Sequence, residues 1–159
     1  MSTTHNDVHS ADTAHASDHA SVGSALASTR VLIYSDDSTI RAQVIAALGR
    51  RISAELPPVV VTEVATGPAL LVAMGESTKK VLKGGKGFDL LILDGEAVPE
   101  GGMGLARQIK DEFFNSPPIL LLVGRPDDAW LATWSRAEGY LAHPIDPFAL
   151  VSLAAKILA

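Results

Sequence analysis

Several side chains capable of chemistry directly follow short apolar runs in this sequence. Asp36 and Asp37 come after the run at residues 30–35, and Asp94 comes after the run at residues 88–93. Clustered carboxylate oxygens are the ligands that a hard cation such as Mg²⁺ prefers, and a carboxylate can also attack a phosphoryl donor as a nucleophile. The sequence therefore indicates an acidic site, provided that the fold brings these run ends together.

The order of apolar runs and helical patterns predicts such a fold. Short runs rich in β-branched residues are typical of buried strands, whereas segments with apolar residues on one face are typical of helices. The two patterns alternate five times. The predicted strands are 30–35, 59–64, 88–93, 119–123 and 140–142. The predicted helices run from Ser38 to about Gly49, from Gly67 with no defined end, from 102 to 113, from 128 to 137 and from Pro147 to Leu158.

This alternation predicts an α/β fold with a five-stranded parallel sheet and helices on both faces, because parallel strands need crossover connections. In open sheets of this kind, sites form outside the carboxyl ends of the strands. The residues at those ends are therefore the candidates for function. They are Ser35, Asp36, Asp37, Asp94, Glu96, Gly124, Arg125 and His143.

Local signals mark other boundaries. Ser38 is expected to cap the first helix, and Asp146 followed by Pro147 is expected to start the last one. Before the third strand, four lysines and three glycines predict a solvated connection, which we favour over a functional basic patch. The lysines are Lys79, Lys80, Lys83 and Lys86.

Composition excludes several classes of function. The 159-residue chain has no cysteine, which rules out disulfides and thiolate metal sites. Its net charge of −5 and the lack of a basic stripe argue against nucleic acid as a partner. No apolar run approaches the roughly 20 residues that cross a bilayer, and no secretory signal is expected. We therefore expect a cytoplasmic protein without direct membrane insertion, held on the inner face of the plasma membrane, if at all, by a protein partner.

Residues 1–28 differ from the rest. They are rich in Ser, Thr, Ala, His and Asp and contain no aromatic residue, Lys or Arg. Such a segment cannot bury enough apolar surface to offset the entropy of ordering it, so we expect a disordered tail followed by one domain over residues 29–159. A solvated tail is favoured over a weak transition-metal site, because nothing preorganises the ligands. The histidines concerned are His5, His9, His15 and His19.

The domain resembles the receiver domain of two-component response regulators over nearly all of residues 30–158. The matching runs are VLIYSDDSTIR at 31–41, LLILDGE at 90–96, GG at 101–102, ILLLVGR at 119–125 and GYLAHP at 139–144. The resemblance implies a flavodoxin-like fold in which Asp94 accepts a phosphoryl group from a histidine kinase. It also implies a Mg²⁺ site at the positions of Ser35 and Asp36, with Asp94 and the backbone carbonyl of Glu96 as further ligands.

Three positions depart from the family pattern. Ser35 stands where the family has an acidic metal ligand, Gly124 has no hydroxyl to bond the phosphoryl group, and His143 replaces a lysine that pairs with the phosphoryl charge. Each change removes a contact worth on the order of 1–3 kcal/mol. We therefore expect weak Mg²⁺ binding and slow phosphorylation of Asp94. The next residue, Pro144, matches a position where the family often has a cis peptide.

A partner surface is predicted on the fourth helix and its neighbours. Trp130 and Trp134 are four residues apart and so share one side of that helix, and tryptophan is enriched at binding hot spots. The resemblance implies that this helix, the fifth strand with Tyr140, and the fifth helix engage partners. The alternative, that one or both tryptophans pack into the core, stays open. The segment between Gly124 and His143 is shorter than usual for the family, which predicts a remodelled helix.

A narrower resemblance concerns the runs LDGEAVPEGGMG at 93–104, GRPDDAWLATWSRAE at 124–138 and AHPIDP at 142–147. They resemble a small actinobacterial group of orphan receivers linked to the proton-pumping NADH dehydrogenase, respiratory complex I. The resemblance implies an accessory subunit or regulator of that complex. No DNA-binding module follows the receiver pattern, so any output is expected from contacts made by the receiver body or the tail.

Two functions follow, in order of preference. The first is a stand-alone, degenerate receiver that acts as a protein-binding module on a larger assembly such as complex I and is not an enzyme. The alternative is a phosphorylatable single-domain response regulator in a two-component phosphorelay, with Asp94 as acceptor. The departures at Ser35, Gly124 and His143 favour the first, whereas Asp94 keeps the second open. A hydrolase of the related phosphatase type is disfavoured, because its extended acidic motif is absent from the sequence.

Overall fold

A computed structural model of the chain describes residues 27–159. The predicted disordered tail and its four histidines therefore lie outside the described residues, apart from Ala27 and Ser28. Ser28 is buried, and its carbonyl accepts a hydrogen bond from the ammonium group of Lys86. The disorder of the tail stays a prediction.

Five strands and five α-helices alternate along the described residues. The strands are β1 (Thr29–Tyr34), β2 (Val59–Val64), β3 (Leu90–Asp94), β4 (Ile119–Val123) and β5 (Gly139–Ala142). The helices are α1 (Ser38–Leu48), α2 (Gly67–Leu82), α3 (Gly102–Glu112), α4 (Ala129–Ser135) and α5 (Pro147–Leu158), with a 3₁₀ turn at Pro126–Asp128 before α4. Every predicted strand and helix is present, and the predicted boundaries are correct to within two residues.

The strands form one parallel sheet in the order β2-β1-β3-β4-β5. The register pairs Tyr34 with Leu93 and Asp94 with Leu122. The carboxyl ends of the three central strands therefore meet at one edge of the sheet. The predicted α/β class, with a five-stranded parallel sheet and helices on both faces, is confirmed.

The sheet separates two hydrophobic clusters. In β3, Leu91 and Leu93 face one cluster whereas Leu90 and Ile92 face the other, because side chains alternate along a strand. Burial of each such leucine contributes about 1.5–3 kcal/mol. The first cluster contains helix residues from α2 (Leu70 and Met74), α3 (Leu105, Ala106 and Ile109) and α4 (Ala132). The second contains helix residues from α1 (Val44 and Leu48) and α5 (Leu150 and Ala154).

The first and last helices differ in how well their starts were predicted. Asp37, not Ser38, caps α1, and its Oδ1 accepts the Thr39 N–H at 2.8 Å. The prediction of Ser38 was therefore wrong by one position, because serine and aspartate cap almost equally well and the two are adjacent. At α5 the cap is Asp146, as predicted, and it accepts the Phe148 N–H at 3.0 Å.

The connection before β3 is shorter than predicted. Helix α2 continues to Leu82, so Lys79 and Lys80 belong to its last turns, where positive charge suits the helix C-terminus. The prediction that all four lysines lie in a solvated connection was therefore wrong for these two. Lys86 does lie in the connection, and its ammonium group also pairs with Asp89 at 3.2 Å.

Helix α4 has only seven residues. It ends at Ser135. The next residue, Arg136, has a left-handed φ of 64°, and its N–H donates to the Thr133 carbonyl at 3.1 Å. The 3₁₀ turn replaces its first turn. The predicted span of 128–137 was therefore too long at both ends.

None of the helices in the described part of the chain is long and apolar enough to span a membrane.

Substitutions of two glycines in α3 test how closely this helix packs against β3. A Cβ at Gly102 would lie 2.6 Å from the carbonyl oxygen of Asp94, which is backbone and cannot move aside cheaply. We expect Gly102→Ala to lower the free energy of unfolding by about 2 kcal/mol. In the same helix, a Cβ at Gly104 would meet no atom within 4 Å. Because alanine is a better helix former than glycine, Gly104→Ala should raise the free energy of unfolding by up to about 1 kcal/mol. Urea denaturation measures both variants, and equal losses would contradict the packing described here.

Candidate functional site

The carboxyl edge of the sheet brings four of the predicted site residues together. Asp94 is the last residue of β3, whereas Ser35, Gly124 and His143 directly follow β1, β4 and β5. The peptide bond between His143 and Pro144 is cis, in agreement with the implied cis position.

The Asp94 carboxylate lies at the centre of this group, with only 4% of its side chain exposed. Its Oδ2 accepts a hydrogen bond from the Ser35 hydroxyl at 2.7 Å. Its Oδ1 accepts the backbone N–H of Glu96 at 3.0 Å and lies 3.4 Å from Nε2 of His143. Both oxygens therefore have partners, as a buried carboxylate requires.

Ser35 is fully buried and fully hydrogen-bonded. Its hydroxyl accepts the N–H of Asp37 at 3.1 Å while it donates to Asp94. Its carbonyl accepts a hydrogen bond from Nη1 of Arg41 at 2.7 Å. The Asp37 carboxylate caps α1 and therefore does not take over the position of the missing acidic ligand.

Ser35, Asp94 and His143 are the residue types of a hydrolase triad, but their order in space is different. In a triad the imidazole lies next to the serine and takes its proton. Here the Asp94 carboxylate lies between the hydroxyl and the imidazole. This arrangement provides no serine nucleophile activated by histidine.

The side chain of Glu96 lies directly over Gly124. A Cβ at Gly124 would be 2.4 Å from Oε1 of Glu96, so any larger residue would displace the carboxylate. Glycine therefore leaves room for a carboxylate beside the position at which the family resemblance placed a hydroxyl. The ion pairs found among residues 27–159 do not involve Glu96.

These residues make a poor magnesium site. Within residues 27–159, no group of three His, Cys, Asp or Glu side chains is placed to hold a metal ion. Asp36 is exposed, and the Ser35 hydroxyl donates to Asp94. Mg²⁺ demands near-ideal octahedral oxygen coordination, so the donor set does not fit a tight site. Weak binding through Asp36, Asp94 and the Glu96 carbonyl stays a prediction.

A buried tyrosine holds the loop between β3 and α3 against β1. The Tyr34 hydroxyl donates to the carbonyl of Glu100 at 2.5 Å. Burial raises the pKa of the Tyr34 phenol, and the carboxylates of Glu100, Asp36 and Asp94 raise it further. The phenol therefore stays protonated at neutral pH and keeps its role as a donor.

The three predicted partner residues all lie on the surface. Trp130 is 66% exposed, and Trp134 and Tyr140 are each 45% exposed. The alternative that the tryptophans pack into the core is therefore excluded. Whether the three residues bind a partner stays a prediction.

Contacts with α3 and its end hold this aromatic surface in place. The guanidinium of Arg107 lies 4.8 Å from the centre of the Trp134 ring, and its Nη1 donates to the Trp134 carbonyl at 2.9 Å. Ion pairs join Arg136 to Asp111 and Lys110 to Glu138. Helix α4 and the segment that follows it are thus fastened to α3.

The sequence predicted the residues at the strand ends but not that the Glu96 side chain lies over Gly124. The one available signal was Gly124, because a glycine leaves room for a neighbour. The sequence also gave no sign of a cavity of about 430 Å³ at the amino edge of the sheet, which is the edge opposite Asp94. Met74, Phe88 and Phe113 line part of it.

Comparison with known proteins gives a clear relationship. No protein-family model matches the chain. The chain is 51% identical over 121 residues to proteins of two Mycobacterium tuberculosis strains, CDC 1551 and H37Rv, each described as an uncharacterized response regulatory protein. The match covers 76% of this chain and 84% of each relative.

Solved structures support the fold. A response regulator from Chloroflexus aurantiacus has a TM-score of 0.65 at 24% identity, and the match covers 82% of this chain and 97% of that one. The chemotaxis response regulator CheY4 of Vibrio cholerae has a TM-score of 0.63 at 22% identity, with 82% and 98% coverage.

The buried bond between Ser35 and Asp94 can be tested by deletion. We expect Ser35→Ala to lower the free energy of unfolding by about 1–3 kcal/mol, because it leaves a buried carboxylate oxygen without its donor. Ser38→Ala removes an exposed hydroxyl three residues away and should change stability by less than about 0.5 kcal/mol. Chemical denaturation compares the two, and a Ser35→Ala protein as stable as Ser38→Ala would refute the role given to this bond.

Proposed function

This chain belongs to the response regulator family, and we propose that its receiver domain acts as a protein-binding module. The observation that carries this proposal is the state of Asp94. Its carboxylate is buried, and its oxygens are occupied by contacts with Ser35, Glu96 and His143. A carboxylate held in this way is a structural centre rather than a free nucleophile.

The charges around Asp94 support the same conclusion. Asp36 and Glu96 are carboxylates at the same edge of the sheet, and the basic side chain near Asp94 is the imidazole of His143. The family resemblance places a lysine at the position of His143. An incoming phosphoryl group, which is itself an anion, therefore meets these carboxylates without that lysine.

The exposed aromatic residues supply a surface for binding. Trp130 and Trp134 on α4 and Tyr140 on β5 expose large amphipathic rings. Rings of this kind contribute much of the binding energy at protein interfaces. Because α4 is fastened to α3, this surface is preformed, and little entropy is lost when a partner binds.

The partner in this proposal is a protein of a larger assembly, and the specific candidate is the membrane-bound NADH dehydrogenase, respiratory complex I. This choice rests on the sequence runs at 93–104, 124–138 and 142–147. The chain would then be cytoplasmic and peripheral on the inner face of the plasma membrane through that partner.

The alternative is a phosphorylatable receiver that accepts a phosphoryl group from a histidine kinase. The observation in its favour is that an aspartate, Asp94, ends β3 at the carboxyl edge of the sheet. Weak Mg²⁺ binding would accompany this function.

The aromatic surface gives the first test of the proposal. We expect Trp130→Ala and Trp134→Ala each to weaken association by about 2 kcal/mol, roughly 30-fold in Kd. Phe114→Ala is the matched control, since Phe114 is 94% exposed but precedes β4 at the opposite edge of the sheet. Purified complex I from native membranes is titrated with each folded variant in surface plasmon resonance. A double tryptophan variant that keeps wild-type affinity would remove this surface from the proposal, and a wild-type chain that does not bind would remove complex I.

Asp94→Asn separates the two functions. The binding module predicts that this variant, once shown to be folded, associates as the wild type does. Asparagine keeps the shape of the side chain, removes its charge and replaces one acceptor oxygen with a donor, and none of these changes touches the aromatic surface. The alternative predicts that association depends on an acid-labile phosphoryl group at Asp94. Intact mass after incubation with acetyl phosphate and Mg²⁺, followed by the same binding titration, decides between them.

A further inference from the structure

We infer that the Glu96 carboxylate, which lies in the space that Gly124 leaves open, suppresses phosphoryl transfer to Asp94. The starting observation is steric. The room beside Gly124 is filled by the carboxylate of Glu96, whose Oε1 would lie 2.4 Å from a Cβ at that position. The Glu96 side chain therefore occupies the space that a side chain at position 124 would need.

The second observation is electrostatic. Glu96 is exposed and forms no ion pair with a described residue, so its charge is not neutralised locally. Its own N–H donates to Oδ1 of Asp94 at 3.0 Å, which fixes its backbone next to the acceptor. Gly124 follows β4, which pairs with β3, so the Glu96 carboxylate over Gly124 lies at the same edge of the sheet as Asp94. A phosphoryl donor at Asp94 meets this carboxylate as a like charge, and like charges repel.

The reaction at issue is simple. An oxygen of Asp94 forms a bond to phosphorus, the bond between phosphorus and the acyl oxygen of acetyl phosphate breaks, and acetate leaves with the bonding electrons. No oxidation or reduction takes place. The transferring phosphoryl group carries negative charge spread over its oxygens, and a carboxylate beside it raises the barrier.

This inference deepens the proposed function and rests on it, since it names the residue that keeps the receiver unresponsive to phosphoryl donors. It also distinguishes two causes of slow phosphorylation, the loss of favourable contacts and the addition of a repulsive one. The changes at Ser35 and His143 remove favourable contacts, whereas Glu96 adds a repulsive one.

The test measures the initial rate of phosphoryl adduct formation on the full chain by intact mass, with acetyl phosphate and Mg²⁺. We expect Glu96→Gln, which keeps size and removes charge, to raise the rate about fivefold or more. Glu100→Gln is the matched control. It removes a carboxylate from the same loop, but one that lies over Gly67 instead of Gly124, and it should leave the rate unchanged. Asp94→Asn defines the background.

A second variant tests position as well as charge. Gly124→Ala places a methyl group where the Glu96 carboxylate now lies and adds no hydroxyl, so it should displace the carboxylate and also raise the rate. In the Glu96→Gln background the same substitution should add little. The inference is overturned if either single variant keeps the wild-type rate, or if Glu100→Gln raises the rate as much as Glu96→Gln does. Far-UV circular dichroism shows that each variant is folded.

Failure of the proposed function looks different. If the wild-type chain forms the adduct readily and its association then changes, the binding-module proposal fails. The ratio between the Glu96→Gln and wild-type rates still decides the role of Glu96.

Discussion

The buried carboxylate of Asp94 is the constraint on which the rest of the site depends. Only 4% of the Asp94 side chain is exposed. Burying a charged carboxylate to this extent costs free energy unless its oxygens are hydrogen-bonded. The Ser35 hydroxyl and the Glu96 N–H meet that need. They also determine where the loops after β1 and β3 can lie, and Gly102 lets α3 approach the same backbone. The site is thus arranged around the need to stabilise a charge, whatever chemistry the charge performs.

The departures from the family pattern compensate for one another. Ser35 supplies a neutral donor, so Asp94 is stabilised without a metal ion. Gly124 gives up a hydroxyl and leaves the space that Glu96 fills. His143 is shorter than lysine and remains 3.4 Å from the carboxylate. Both oxygens of the Asp94 carboxylate therefore keep a polar partner despite the three changes.

The fold was predictable from the sequence because strand and helix periodicities differ and each run was long enough to show its own. The choice between Asp37 and Ser38 as cap was not, since adjacent residues of similar propensity are distinguished only by geometry. The end of α2 was hidden because lysines are good helix formers and are also common in loops. In the site, the strand ends were predictable from topology. The position of the Glu96 side chain was not, because it depends on a contact with Gly124, 28 residues away in sequence.

The aromatic surface has a different structural basis from the acidic site. In a receiver that switches, a change at the acceptor has to reach the partner surface, and the family resemblance places a hydroxyl after β4 to bond the phosphoryl group. Here Gly124 cannot make that contact. Helix α4 is held instead from the side by Arg107 and by the ion pair between Arg136 and Asp111. These contacts are made with α3 and do not involve Ser35, Asp94 or His143. A surface fixed in this way suits constant association better than switching.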